Sequence, residues 1–154
     1  MIRKAEKRDI PFVEELLRQV NLIHHNGRPD LFRAQTKYGP EELERLFLNE
    51  TTPVFVWTDD ADKPCGYCFC QLRSTTGDRM LTDIHTLYID DLCVDEAKRG
   101  MHIGTDLLAY VKSFAKAQGC YNVTLNVWAL NTEAYRFYEK AGMHIQKFGM
   151  ETIL

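Results

Sequence analysis

A chain of 154 residues is near the usual size of one domain and can bury a substantial core. Its formal net charge of −3 argues against a general affinity for nucleic acid, and 27% charged with 45% apolar residues is ordinary for a soluble protein. No stretch is long enough to span a bilayer and the start, MIRKAEKRDIPFVEEL, lacks the apolar core of a signal peptide, so a cytoplasmic protein without a membrane partner is expected.

The elements alternate between helix and strand, with no repeat or interdomain linker. Residues 2–5 read as a short first strand. Asp9 is expected to cap a helix reaching about residue 24, with Pro11 in the first turn, where proline is tolerated. The loop HNGRPDLFRAQTKYG follows, and Pro40 opens a second helix over 40–49. Strands are expected at 53–59, 65–74 and 80–94, joined by the turns DDADKPCG and STTGD. A third helix ending at Gly119, a strand over 121–128, a fourth helix from Asn131 to Gly142 and a last hairpin through IQKFGMETIL complete the chain. This order predicts one α/β (α+β) domain over 1–154, with a mixed central sheet of about seven strands flanked by about four helices.

Five cysteines raise the question of a metal. The spacing of Cys65, Cys68 and Cys70 is not a zinc ribbon, because no second paired cluster follows. Read as a strand, the segment puts Cys68 and Cys70 on one face and Tyr67, Phe69 and Gln71 on the other, so buried reduced thiols are expected and no metal. The odd count also favours a reducing compartment.

Residues 89–105, IDDLCVDEAKRGMHIGT, run from an apolar strand (Ile89, Leu92, Val94) through a charged turn into a glycine-bounded helix start. Unpaired N–H groups and the positive end of the helix dipole at such a start suit an anion, and small residues let it approach the backbone. No Walker lysine follows the glycines, and the spacing is wrong for a Rossmann fingerprint. Residues 123–143, VTLNVWALNTEAYRFYEKAGM, give an alternating strand, then Asn131 as N-cap and a helix carrying Ala134, Phe137, Tyr138 and Ala141 on one stripe.

Together the two segments resemble the GNAT N-acetyltransferase superfamily, and the resemblance covers nearly the whole chain. The family's pyrophosphate loop reads Gln/Arg-x-x-Gly-x-Gly/Ala; here it is Arg99, Gly100, Met101, His102, Ile103 and Gly104, with Thr105 next. The later family motif is matched by Asn131, Ala134, Phe137, Tyr138, Gly142 and Met143. His102 stands where the family usually has its middle glycine; a right-handed backbone there, which a histidine tolerates, is expected, whereas a position that needs φ > 0 would cost coenzyme affinity.

The resemblance implies acetyl-CoA as donor, direct transfer to an amine in a ternary complex, backbone hydrogen bonds from Leu92, Cys93 and Val94 to the pantetheine arm, and Tyr138 as general acid to the departing thiolate. Asn131 binds the coenzyme and caps its helix in the same reading, with Ala134 and Phe137 alongside. Asp90 and Asp91 are the candidate general bases; strand alternation puts them on opposite faces, and Asp91 is favoured by position. Acceptor binding is expected from His25, Arg28 and Phe32 in the first long loop, Asp83 and His85 on the fourth strand, and Asn126 and Trp128 on the fifth. A small primary amine is the expected acceptor. A protein N-terminus or lysine, or a non-catalytic acyl-CoA-binding module, is the alternative. A homodimer is consistent with the family's habits.

Overall fold

Five strands form one sheet in the order β1 (Ile2–Lys4), β2 (Val54–Thr58), β3 (Pro64–Thr75), β4 (Ile84–Val94) and β5 (Asn122–Leu125) in the computed structural model, which describes residues 1–154. The first four strands run antiparallel, and β5 lies parallel to β4. A parallel step needs a long crossover, which α3 (Ile103–Ala117) supplies. The helices α1 (Ile10–Gly27) and α2 (Pro40–Leu48) cover one face, where Val13, Leu16, Leu17 and Leu43 pack on Val54, Val56, Tyr67, Phe69 and Cys93. The other face carries α3, with Ile103, Leu107, Leu108 and Val111 packed on Phe55, Cys68, Cys70, Leu87 and Ile89. The last helix, α4 (Thr132–Lys140), joins that side through Phe137 and Tyr138. The alternation expected of Tyr67 to Cys70 holds, and the Cys68 and Cys70 sulfurs lie 3.7 Å apart under α3.

Three expectations are corrected. The sheet has five strands rather than about seven, because no strand forms after Met143; β4 starts at Ile84, not residue 80, and β5 stops at Leu125. A hairpin needs an apolar surface to lie on, whereas Ile145, Phe148, Met150, Ile153 and Leu154 all stand in solvent. Asp9 precedes α1 but does not cap it: its buried carboxylate accepts from Arg3 Nη1 at 2.7 Å, Arg3 Nη2 at 3.0 Å and the Glu6 N–H at 2.8 Å. The first helix also runs one turn past residue 24, to Gly27.

Candidate active site

The pairing of β3 with β4 is regular except at one point: Phe69 faces Asp91 and Cys70 faces Ile89, so Asp90 is an extra residue. Such a bulge resets the phase of the strand. Leu87 and Ile89 point into the α3 side, whereas Asp91 and Cys93 point toward α1 with Tyr67 and Phe69. Asp90 and Asp91 therefore share one face, which corrects the opposite-face expectation. Each has its own tyrosine. The Tyr38 hydroxyl donates to Asp90 Oδ2 at 2.5 Å and the Tyr67 hydroxyl donates to Asp91 Oδ2 at 2.8 Å. Phe69 lies between them, stacked on Tyr38 at 5.4 Å and edge-on to Tyr67 at 4.9 Å.

The two carboxylates differ in charge environment. Lys37 Nζ pairs with Asp90 Oδ2 at 2.8 Å. Burial lifts Asp91 to about 6, the Tyr67 hydrogen bond and Lys37 pull it down, and Asp90 pushes it up. A carboxyl poised there is mostly ionised at neutral pH yet basic enough to accept a proton.

Pairing of β4 with β5 covers only Thr86–Ile89 against Asn122–Leu125. Beyond the bulge, Asp90 to Val94 keep β3 on one side and have no strand on the other, so their outward amides and carbonyls face a cleft. At that cleft sits Tyr138 of α4. Burial holds its phenol well above the ordinary tyrosine range, and charge on Cys68, Asp91 or Cys93 would push it higher, so it is a proton donor at neutral pH. Cys93 is no nucleophile: burial pushes its thiol to about 12, and its Sγ donates to the Leu16 carbonyl at 3.6 Å.

The turn between β4 and α3 presents an amide cradle. None of the N–H groups of residues 100–105 finds an acceptor within the chain, the helix start providing none for its first turn. A side chain at Gly100 would meet open space, so the cradle faces outward. At Gly104 a Cβ would come within 3.3 Å of the Phe137 ring, which binds α4 to the start of α3. Ile103 is buried, leaving only its backbone for a ligand, and Met101 and Thr105 are exposed. Arg99 lines a groove of about 380 Å³ with Arg18, Gln19 and Asn26, and with the carboxylates of Glu15 and Glu96. His102 has φ 61°, in the left-handed region, which corrects the right-handed expectation. Histidine enters that region more readily than most residues, at a cost of order 1 kcal/mol. On α4, Asn131 caps as expected, its Oδ1 accepting from the Ala134 N–H at 3.1 Å.

The acceptor-side residues divide. Phe32 is stacked on His24 at 5.0 Å and edge-on to Trp128 at 5.0 Å, and its carbonyl accepts from His25 Nδ1 at 2.6 Å. Asn126 Nδ2 reaches the Tyr88 hydroxyl at 3.3 Å on the same face as the bulge. The first long loop thus closes over the cleft on to the segment after β5. Arg28 lies at this end too, but its guanidinium is taken by Asp30 and Glu151. Asp83 and His85 are not part of the site. They sit at the far end of the β3–β4 hairpin, bonded to the Gly77 N–H at 3.0 Å and to Ser74 Oγ at 2.7 Å, and five strand residues put His85 about 17 Å from Asp90.

The sequence matches the model of the acetyltransferase (GNAT) family over residues 20–143, a span that contains the bulge, the cradle and α4. The chain belongs to the GNAT family. As a GNAT protein it is an N-acetyltransferase. It is 31% identical over 121 residues to the peptidyl-lysine N-acetyltransferase YjaB of Salmonella typhimurium, covering 79% of this chain and 67% of that protein. Among solved structures, a mutant of the BH1408 protein from Bacillus halodurans matches with a TM-score of 0.97 and 33% identity over 100% of this chain and 99% of that one. Glucosamine-6-phosphate N-acetyltransferase from Arabidopsis thaliana shares the fold, with a TM-score of 0.70 and 23% identity over 99% and 97% of the two chains. Within this GNAT chain the sequence reading missed Lys37, Tyr38 and Tyr67. Tyr67 had a signal, since it shares the alternating face of Phe69; Lys37 and Tyr38 lie in an aperiodic loop and had none.

Proposed function

We propose that this GNAT protein moves an acetyl group from acetyl-CoA to a small-molecule primary amine by direct transfer in a ternary complex. One observation carries the reading: a poised carboxyl, Asp91 on the unpaired stretch of β4, and a protonated phenol, Tyr138 of α4, close enough to feel its charge, stand beside a turn of unpaired amides. The residues present fit the coenzyme. The amides of Gly100 to Thr105, with the neighbouring Arg99 cation, suit its pyrophosphate. The open backbone edge of Leu92, Cys93 and Val94 suits the pantetheine arm, and Asn131, Ala134, Phe137 and Tyr138 border its reactive end. Bound there, acetyl-CoA supplies an activated thioester. Asp91 takes the proton of the incoming ammonium, directly or through water, and Tyr138 delivers one to the departing sulfur. A non-catalytic acyl-CoA-binding module has no use for such a pair.

A small acceptor is supported by the loop that brings Phe32 on to Trp128 and narrows the cleft, and a cationic one by the paired carboxylates. A second reading, a lysine side chain of a protein, is favoured by the likeness to YjaB. The exposed apolar tail and the unpaired outer edge of β5 favour a homodimer, and five unpaired cysteines favour the cytoplasm. No helix is long and apolar enough to cross a membrane.

Calorimetric titration with acetyl-CoA tests the donor. One-to-one binding that Gly104→Trp abolishes is expected, and folded wild type that binds nothing overturns the reading. Release of free CoA with spermidine, an aminoglycoside and a lysine-containing peptide then separates the acceptors. Turnover confined to the peptide would select the second reading.

A further inference from the structure

We propose that Lys37 is a positioning residue that compensates the Asp90 carboxylate and thereby leaves proton exchange at the bulge to Asp91. The inference rests on the reading of Asp91 as the base. Its geometry is independent of that reading. Lys37 Nζ lies 2.8 Å from Asp90 Oδ2 and 3.4 Å from the Asp90 carbonyl oxygen, so it holds the extra residue of the bulge by side chain and backbone together. The neighbouring Tyr38 adds its hydroxyl to the same oxygen, and its ring is fixed on Phe69. Asp91 has no cation of its own. Its one side-chain hydrogen bond comes from Tyr67, and that phenol is held protonated by burial.

Two carboxylates on adjacent residues of one face repel, and an unpaired pair would share a proton rather than divide the work. Lys37 resolves the pair by closing one member. The groups that face Asp91 are Tyr67 and Cys68 from β3, Tyr138 from α4, Asp90 and Cys93 from β4, and Lys37 and Tyr38 from the loop. Tyr38, Tyr67, Tyr138, Cys68 and Cys93 are all held uncharged by burial, which leaves Lys37 and Asp90 as the charges that set it. Lys37 also ties the catalytic bulge to the loop that carries Phe32, because both lie between α1 and α2.

The test is a titration of aspartate carboxyl carbons by ¹³C NMR, with the pH–rate profile measured on the same proteins. The resonance with a midpoint near 6 is assigned to Asp91 by its loss in Asp91→Asn. In Lys37→Met that midpoint is expected to rise by about half a pH unit or more, and the acid limb of kcat/KM to rise with it. Lys37→Arg should keep both at the wild-type values, and adding Asp90→Asn to Lys37→Met should bring both back down. A merely structural lysine would lower the rate and leave the midpoint in place. An Asp91 midpoint unmoved in folded Lys37→Met overturns the proposal. A midpoint that moves while the rate limb stays fixed instead overturns Asp91 as the base and leaves the division of the carboxylates standing.

Discussion

The two halves of β4 have the same neighbour on one side and different fates on the other. From Thr86 to Ile89 the strand is paired on both edges, and Leu87 and Ile89 are buried under α3. From Asp90 to Val94 it keeps β3, loses β5, and every candidate group of the chemistry gathers on it or beside it. Between them stands one extra residue. The site is made by interrupting a sheet: the zipped half supplies rigidity, and the open half supplies unpaired backbone and a place for a carboxyl at low dielectric.

The sharpest way to test that division is to remove the proposed acid that stands beside the open half. Tyr138→Phe should lower kcat by about 10²–10⁴-fold while leaving acetyl-CoA affinity nearly unchanged in calorimetry. Deleting Asp90 would break the comparison outright. The remaining residues keep their alternation, with Asp91 still toward α1 and Leu92 toward α3, so the protein should fold, but the strand loses its bend. Turnover is expected to fall about 10²-fold or more; a near-normal rate would show that β4 and β5 part without the bulge.

In the zipped half the cost falls on stability. Leu87→Ala should lower unfolding free energy by about 2–5 kcal/mol in denaturant titration, because Leu87 is fully buried. Asp91→Asn should act in the reverse sense. The folded carboxyl titrates at about 6 against 3.8 for an ordinary aspartate, so its favourable neutral form is intact below 3.8 and is lost as pH rises through about 6. The variant should therefore match wild type near pH 3, exceed it by at most about 3 kcal/mol at pH 8, and be nearly inactive. His102→Gly comes last. Relief of the left-handed backbone, offset by glycine's larger unfolded entropy, should raise stability by at most about 0.5 kcal/mol in the same titration.

What could be read from the sequence was local. Gly119 and Gly142 end α3 and α4 with φ of 74° and 82°, and Asn131 caps α4, because each signal acts within one turn of its own position. The bulge also left a trace that went unread. Ile89, Leu92 and Val94 are the apolar residues of that stretch, and their spacing of three then two breaks a strict alternation where the extra residue lies. Asp83 and His85 were placed at the site because they share its strand, but a long strand separates its ends by more than the width of a site. The backbone sign at His102 and the arrival of Lys37 at Asp90, 53 residues away, depend on tertiary structure that no local pattern encodes. The tail from Ile145 had the composition of strands and nothing within its own chain to pair with.

The contact of Phe137 with Gly104 has a thermodynamic consequence. The nine residues of α4 include none that is fully buried, and a helix that short has little stability of its own. Its position depends on the Phe137 ring seated against the first turn of α3, one residue from Tyr138 and directly behind the amide cradle. Anything that orders the cradle therefore orders α4, and by reciprocity anything that loosens α4 loosens the cradle. On the proposed function, amide hydrogens of α4 should exchange fast in the free protein and slow down when acetyl-CoA is added, so that the ligand itself would set Tyr138 in place.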